Sequence, residues 1–253
     1  MGRFEIVRLA TVALALPAFA GFAVAEDIWR PAGVVELFTS QGCSSCPPAD
    51  EAFADVAKSG DVVALAYHVD YWDYLGWRDS MGIADSTSRQ KDYSRAFKAR
   101  SVYTPQAVIN GRTHVNGANR IAIAAALDDM QTSGEAPDVG ISVKRAGESI
   151  LIETEEGDGA AQNAHVLLVY FDAARPVEIE RGENKGKTVT YWNAVTAVQT
   201  AGMWHGTAAR YEMPASEIAK KGEGGCAVLL QSVTEEGLPG AILGATVIRS
   251  TDE

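Results

Sequence analysis

The chain has 253 residues, of which 47% are hydrophobic and 22% are charged, a composition typical of a globular protein with one or two domains. Its formal net charge of −11 at pH 7 argues against nucleic acid and against an anionic membrane surface as partners. Because a chain of this length can bury a sizeable core, its three cysteines are not needed as structural staples.

Residues 1–25 have the pattern of a secretory signal peptide. Arg3 and Arg8 precede an apolar stretch, Leu9 to Val24, and the segment ends in Ala-Val-Ala, which fits the small-x-small cleavage rule. An uncleaved membrane anchor is the alternative, but the apolar stretch is short for a span of about 20 residues and contains Pro17. Cleavage predicts a periplasmic or secreted protein with no stable membrane insertion, in a compartment where disulfides persist.

A pair of cysteines follows the first predicted strand, Val34 to Thr39. Cys43 and Cys46 open a predicted helix, whose apolar stripe is formed by Ala49, Ala52, Phe53, Val56 and Ala57. Two thiols on the first helical turn lie on one face, where they can form a disulfide and where the helix N-terminus stabilises a thiolate. This pattern predicts thiol chemistry, with Cys43 as a solvent-facing nucleophile and Cys46 as the resolving group.

The first half of the chain continues with alternating strand and helix patterns. A second apolar strand, Val62 to Tyr67, is followed by a long insertion over residues 68–102 that contains an aromatic cluster and a surface helix. Thr104-Pro105 then leads into a hairpin, for which Asn110-Gly111 is a strong turn signal. Asn119 is predicted to cap a final helix.

Beyond a linker at residues 134–137 the pattern is typical of β-structure. The predicted strands are Val139 to Lys144, Ser149 to Thr154, His165 to Phe171, Thr188 to Thr200, Thr207 to Met213 and Cys226 to Ser232. Short strands separated by Gly-rich or charged turns favour an antiparallel sandwich. The third cysteine, Cys226, is predicted to be a small buried core residue.

Four segments resemble the DUF1223 family of secreted thioredoxin-like proteins. They are Glu36 to Asp50, His68 to Asp73, Tyr103 to Gln106 and Arg181 to Asn184. The order of strand, CxxC helix, strand, insertion, Pro, hairpin and helix is also similar to the thioredoxin fold. The resemblance implies an α/β thioredoxin-like domain over residues 26–135, with its insertion at 68–102, and the strand pattern predicts an antiparallel β-sandwich-like domain over residues 136–253. The resemblance implies no particular substrate.

The resemblance also implies roles for residues outside the cysteine pair. Thr104-Pro105 stands where the thioredoxin fold has a cis-proline, beside which the backbone pairs with an extended substrate. Glu36 lies near the position of a buried carboxylate that relays a proton to the deeper cysteine, but it is offset by one residue, and adjacent strand positions face opposite ways. Ser44-Ser45 departs from the spacers of the better-known relatives, and a hydroxyl that donates to the Cys43 thiolate would favour the reduced form.

These observations predict an exported thiol–disulfide oxidoreductase that acts on periplasmic proteins through its own dithiol, with no organic cofactor. Its expected partners are protein or peptide thiols and a second redox protein that resets the dithiol. Two alternatives stay open. The first is a copper- or zinc-handling protein with Cys43, Cys46 and His68 as ligands. The second is a non-catalytic binding module in which the disulfide is static.

Overall fold

The computed structural model describes residues 28–157 and 163–249 of the chain. The predicted signal peptide, residues 1–25, lies outside the described residues. Across the two described ranges, no helix combines the length and the apolar character that crossing a membrane requires.

The first half forms a mixed sheet with three helices. Its elements are β1 (Gly33–Thr39), α1 (Pro47–Ser59), β2 (Val62–His68), a short 3₁₀ turn (Asp73–Leu75), α2 (Ala84–Ala96), β3 (Gln106–Ile109), β4 (Thr113–Asn116) and α3 (Arg120–Ser133). The strand order is β2-β1-β3-β4, with β1 parallel to β2 and antiparallel to β3. The mixed α/β class predicted for this half is therefore confirmed.

Local signals in the sequence account for the ends of these elements. α1 begins at two prolines, which are tolerated because backbone N–H groups in the first turn have no intrahelical acceptor, and it ends at Gly60 in the left-handed region. The side chain of Asn119 accepts from the Ala122 N–H and caps α3 as predicted. Asn110 and Gly111 both have positive φ, which matches the twist of a tight hairpin turn between β3 and β4.

The β2-β1-β3-β4 sheet is the central sheet, and its strands β1, β2 and β3 are buried on both faces, which explains why their apolar runs show little alternation. Val35 and Leu37 of β1 pack with α1 and α3, in a cluster that includes Phe53. Val34 and Phe38 point the other way, into a cluster that contains residues of α2 and of the second half. Side chains of neighbouring β1 residues therefore point to opposite faces of the sheet, and only those on the α1 face lie on the side of the cysteines.

The described residues of the second half form antiparallel strands and one short helix. Its elements are β5 (Ile141–Ala146), β6 (Ser149–Thr154), β7 (Ala164–Phe171), β8 (Arg175–Glu178), β9 (Thr188–Tyr191), β10 (Val195–Trp204), β11 (Ala209–Pro214), α4 (Ser216–Lys221), β12 (Gly225–Val233) and β13 (Pro239–Arg249). They form a four-stranded sheet in the order β10-β7-β12-β13, a three-stranded sheet in the order β11-β6-β5 and a β8-β9 hairpin. The four-stranded sheet packs against the central sheet on one side and the three-stranded sheet on the other.

Several details of the second half differ from the prediction, among them the short strand β8, which the predicted strands do not include. The single strand predicted for Thr188 to Thr200 is divided into β9 and β10, because the chain turns at Asn193, whose φ is +48°. The last strand, β13, was not predicted, because Gly240 and Gly244 interrupt its apolar pattern. Cys226 is fully buried in β12, as the sequence predicted.

Candidate functional site

Cys43 and Cys46 form a disulfide at the start of α1, with their Cα atoms 5.4 Å apart. The prediction that Cys43 faces solvent is wrong, since only 1% of Cys43 and 0% of Cys46 is exposed. The two serines between them are exposed instead. The structural reason is that the insertion, the loop before β3 and the β8-β9 hairpin all contact the segment that carries the disulfide.

Two hydroxyl groups lie against the sulfur of Cys43. Thr104 donates from Oγ1 to Cys43 Sγ over 3.2 Å, and Ser45 Oγ lies 3.5 Å from the same sulfur. Trp72 donates its indole N–H to Thr104 Oγ1 over 2.8 Å. The Thr104–Pro105 peptide bond is cis, as predicted. The structure thus brings the cysteine pair, one spacer serine and Thr104-Pro105 into one site.

An asparagine of the β8-β9 hairpin holds the loop before the disulfide in place. Asn184 donates from Nδ2 to the carbonyl oxygens of Gln41 and Cys43, over 2.9 and 2.8 Å. Lys187 donates to Asn184 Oδ1, so the amide has one orientation. Gly182 of the same hairpin lies against Trp77, where an added Cβ would be 3.1 Å from the tryptophan Cβ. The second half of the chain therefore contributes directly to the site.

Removing this asparagine is expected to destabilise the protein. In Asn184→Ala the carbonyls of Gln41 and Cys43 lose a shared donor while they remain buried, so we expect the free energy of unfolding to fall by about 1–3 kcal/mol. Urea denaturation with the disulfide intact measures this change. Lys187→Ala is the matched control, because it removes one contact to the amide but leaves both carbonyls satisfied, and we expect a smaller loss. Equal losses in the two variants would contradict this role of Asn184.

Glu36 does not lie where a proton relay to Cys46 would require it. Its carboxylate is fully buried on the α2 side of β1, where Arg89 Nε donates to Oε1 over 2.7 Å and the Tyr93 hydroxyl donates to Oε2. α1 packs on the opposite side of the sheet. The relay role predicted for Glu36 is therefore corrected: the one-residue offset turns its side chain away from the disulfide.

The buried carboxyl on the side of the disulfide is that of Asp50. It is four residues after Cys46 and its backbone N–H bonds to the Cys46 carbonyl, so both side chains lie on one face of the helix. Thr39 donates to Asp50 Oδ1 over 2.7 Å. Burial raises the pKa of Asp50 to about 7, although the Thr39 hydrogen bond and the charge of His68 oppose the rise. Asp50 therefore changes its protonation state near neutral pH.

His68, at the end of β2, is connected to the loop that carries Cys43. Its Nδ1 lies 2.8 Å from Asp79 Oδ2, and the same oxygen accepts the Gln41 N–H over 2.8 Å. Burial opposes protonation of His68, but the charge and hydrogen bond of Asp79 outweigh burial and raise its pKa. The pKa of Asp79 is lowered, because His68 and two backbone N–H groups outweigh the cost of its own burial.

Three buried polar atoms near this pair have no hydrogen-bond partner within the described residues: Asp50 Oδ2, His68 Nε2 and the Tyr191 hydroxyl. The Tyr191 ring, from β9, packs edge-on against the His68 ring with centroids 4.8 Å apart. Buried polar groups in proteins are normally paired, so three unpaired ones close together are unusual. Together with Asp79, these residues form a buried cluster of acid and base groups next to α1.

The alternative metal site is not assembled. No group of three or more His, Cys, Asp or Glu side chains within residues 28–157 and 163–249 is placed to hold a metal ion. The sulfurs of Cys43 and Cys46 are bonded to each other, and His68 directs its Nδ1 to Asp79. In this disulfide-bonded form, the alternative ligand set of Cys43, Cys46 and His68 is therefore not assembled.

The sequence patterns predict no specific contact at the disulfide for five residues that form the site: Asp50, Trp72, Asp79, Asn184 and Tyr191. Asp50 carried a usable signal, because it is a carboxylate one turn after Cys46 on a helix whose other inward positions are apolar. The remaining four reach the site through long-range contacts, which spacing along the chain does not indicate.

Comparison with known proteins gives a family and a structural relative. Residues 34–231 match the sequence profile of the family described as "Protein of unknown function (DUF1223)". A crystal structure of a protein from Agrobacterium tumefaciens, determined by a structural genomics consortium, is similar with a TM-score of 0.79 and 46% sequence identity. The similarity covers 88% of this chain and 96% of that one. No curated protein is significantly similar to the chain.

Proposed function

Since the chain belongs to the DUF1223 family, whose description names no activity, we propose a function from the site itself: thiol–disulfide exchange through Cys43 and Cys46. The observation that carries this proposal is a disulfide at a helix N-terminus with two hydroxyl groups beside its first sulfur. Donors of this kind stabilise a thiolate, and the thiolate is the reactive form of cysteine.

The arrangement of the first half supports a thioredoxin-like fold as part of the proposal. The strand order β2-β1-β3-β4, the cysteine pair at the start of α1 and the cis Thr104–Pro105 bond agree with that resemblance. We further propose that the protein acts after export, in the periplasm or outside the cell, on protein or peptide thiols, and that a second redox protein resets its dithiol. The predicted signal sequence carries this part of the proposal.

The exchange proceeds by two displacements. A substrate thiolate attacks Cys43 Sγ, the bond between Cys43 and Cys46 breaks, and its electron pair leaves with Cys46 as a thiolate. A second substrate thiolate attacks the substrate sulfur of the mixed disulfide and releases the Cys43 thiolate. The substrate dithiol is oxidised, the cysteine pair is reduced, and the two protons of the substrate end on the pair or in solvent. The reverse sequence reduces a substrate disulfide.

Residues around the cysteines have defined parts in this scheme. Thr104 and Ser45 donate to the Cys43 thiolate, and the backbone at Thr104-Pro105 borders the attacked sulfur. Asp50 lies one helical turn from Cys46, and with a pKa of about 7 it can donate a proton to the departing thiolate and accept one in the reverse direction. Because Cys43 is 1% exposed, a substrate thiolate reaches its sulfur only when a segment packed around it moves aside locally: the insertion, the loop before β3 or the β8-β9 hairpin.

The experiment that tests this function is equilibration of the purified mature protein with glutathione buffers of known ratio. We expect a reversible couple between about −300 and −120 mV, the range in which exchange-competent protein dithiols lie. Cys46→Ser is expected to trap a mixed disulfide on Cys43, whereas Cys43→Ser accumulates none. Cys226→Ser is the control and should leave the couple unchanged, because Cys226 is buried in β12. A disulfide that no glutathione ratio reduces would indicate the static binding module instead.

A further inference from the structure

The insertion places an indole N–H next to the site in a way that the exchange scheme does not use. We propose that Trp72 is a positioning residue that makes the Cys43 thiol more acidic by orienting the hydroxyl of Thr104. The inference rests on the proposed exchange at Cys43, because it concerns the thiolate that this exchange needs. Trp72 touches no reacting atom in the proposal and acts only through Thr104.

The argument begins with the hydrogen-bonding capacity of the two groups. An indole N–H can only donate, and Trp72 Nε1 donates to Thr104 Oγ1 over 2.8 Å. A hydroxyl that accepts this bond has its single hydrogen free to donate elsewhere. Cys43 Sγ is within reach at 3.2 Å. The hydroxyl of Tyr71 is a second neighbour, also in hydrogen-bonding contact with Thr104.

The charge on the sulfur decides between these two acceptors. A hydrogen bond to an ionised group is roughly twice as strong as one between neutral groups. When Cys43 becomes a thiolate, the Thr104 hydrogen therefore points to the sulfur rather than to Tyr71. The bond from Trp72 polarises the hydroxyl and strengthens its donation, since chained hydrogen bonds reinforce one another in a buried site. The thiolate is stabilised, so the pKa of Cys43 falls and the reduced form is favoured.

The insertion also holds the indole in this position. Tyr71, next in sequence, donates to Gln90 Oε1 over 3.1 Å, and the buried Gln90 side chain donates to the Tyr103 carbonyl over 2.8 Å. On the other side, an added Cβ at Gly42 would lie 3.1 Å from the Trp72 Cβ, so the loop before Cys43 packs directly against this residue. Trp72 therefore packs against the cysteine loop, next to a tyrosine that is hydrogen-bonded to α2, and these contacts hold its N–H on Thr104.

The test is Trp72→Phe in the full mature chain, a change that removes the indole N–H and keeps an aromatic ring. We expect the equilibrium constant for reduction by glutathione to fall about three- to tenfold, the effect of one net hydrogen bond. We also expect the alkylation rate of Cys43, measured against pH in a Cys46→Ser and Cys226→Ser background, to show a raised thiol pKa. Trp77→Phe is the matched control, since its indole donates to Gln41 Oε1 and not to Thr104.

A double-mutant cycle separates positioning from packing. Thr104→Val removes the hydroxyl at nearly constant volume, and in that background Trp72→Phe should change neither the equilibrium constant nor the pKa. Thr104→Ser keeps a hydroxyl and should keep the response to Trp72→Phe. The same effect of Trp72→Phe with and without the hydroxyl would overturn the inference, as would no effect in the otherwise unchanged protein. If the unchanged protein shows no reversible couple, the proposed function itself fails, and the inference fails with it.

Discussion

Replacing Glu36 with glutamine is expected to lower the free energy of unfolding by about 3–5 kcal/mol, the usual loss when one partner of a buried ion pair is removed. Glu36 is fully buried, and the side chain of Arg89 is only 12% exposed, so the guanidinium would stay charged in a poorly solvated place. The Tyr93 hydroxyl, which donates to the same carboxylate, would lose its charged acceptor. Denaturation in urea at pH 7 measures the change.

A paired replacement is the control for this prediction. Glu36→Leu together with Arg89→Met removes both charges, and we expect the double variant to regain most of the loss, since well-packed apolar residues often replace a buried ion pair without cost. Glu36→Gln is also expected to leave the reduction potential of the cysteine pair unchanged, because Glu36 lies on the other side of the sheet. A large shift in potential at constant stability would restore the relay role that the geometry of β1 contradicts.

Glu36 also illustrates which part of the site can be predicted from the sequence. The spacing of Cys43 and Cys46 after an apolar strand indicated a disulfide at a helix start, and Asn110-Gly111 and Asn119 indicated the hairpin and the cap that follow. These are local patterns, set by a few neighbouring residues. Whether a carboxylate of β1 lies on the same side of the sheet as the cysteines depends on the number of residues in the loop between them. The run from Val34 to Phe38 does not alternate between apolar and polar residues, so the sequence does not indicate which face of β1 Glu36 is on.

The exposure of the disulfide could not be predicted for a different reason. Asn184 lies 141 residues after Cys43, yet it donates to the Cys43 carbonyl. Tyr191 reaches His68 from the same hairpin. Such contacts arise because the four-stranded sheet packs on the central sheet and brings the β8-β9 hairpin beside α1. The spacing of residues within either half of the sequence does not indicate how the two halves pack together. The first half by itself predicts a solvent-facing Cys43, because the residues that cover this sulfur come partly from the second half.

Asp50→Asn is expected to make the stability of the protein much less dependent on pH. The pKa of Asp50 is about 7 in the folded chain against 3.8 as its ordinary value, so the folded state holds a proton that the unfolded state has already lost. The stability that this provides is fully present below the ordinary value and is lost as pH rises through about 7. When the pH rises from 5 to 8, the contribution of Asp50 to the free energy of unfolding therefore falls by about 3 kcal/mol. Asparagine does not titrate, so Asp50→Asn should abolish this part of the pH dependence.

The measurement is urea denaturation of the oxidised protein at pH 5 and pH 8, for the unchanged chain and for the variant. His68 contributes a slope of the same sign, because its pKa is also raised in the fold, so a smaller decline should persist in Asp50→Asn. Glu51→Gln is the control on the same helix, since the Glu51 side chain is 83% exposed and its charge should matter little. An unchanged slope in Asp50→Asn would mean that Asp50 is already ionised at pH 5. It would then have no proton to give to Cys46 at neutral pH, and the proton for the departing thiolate would have to come from solvent.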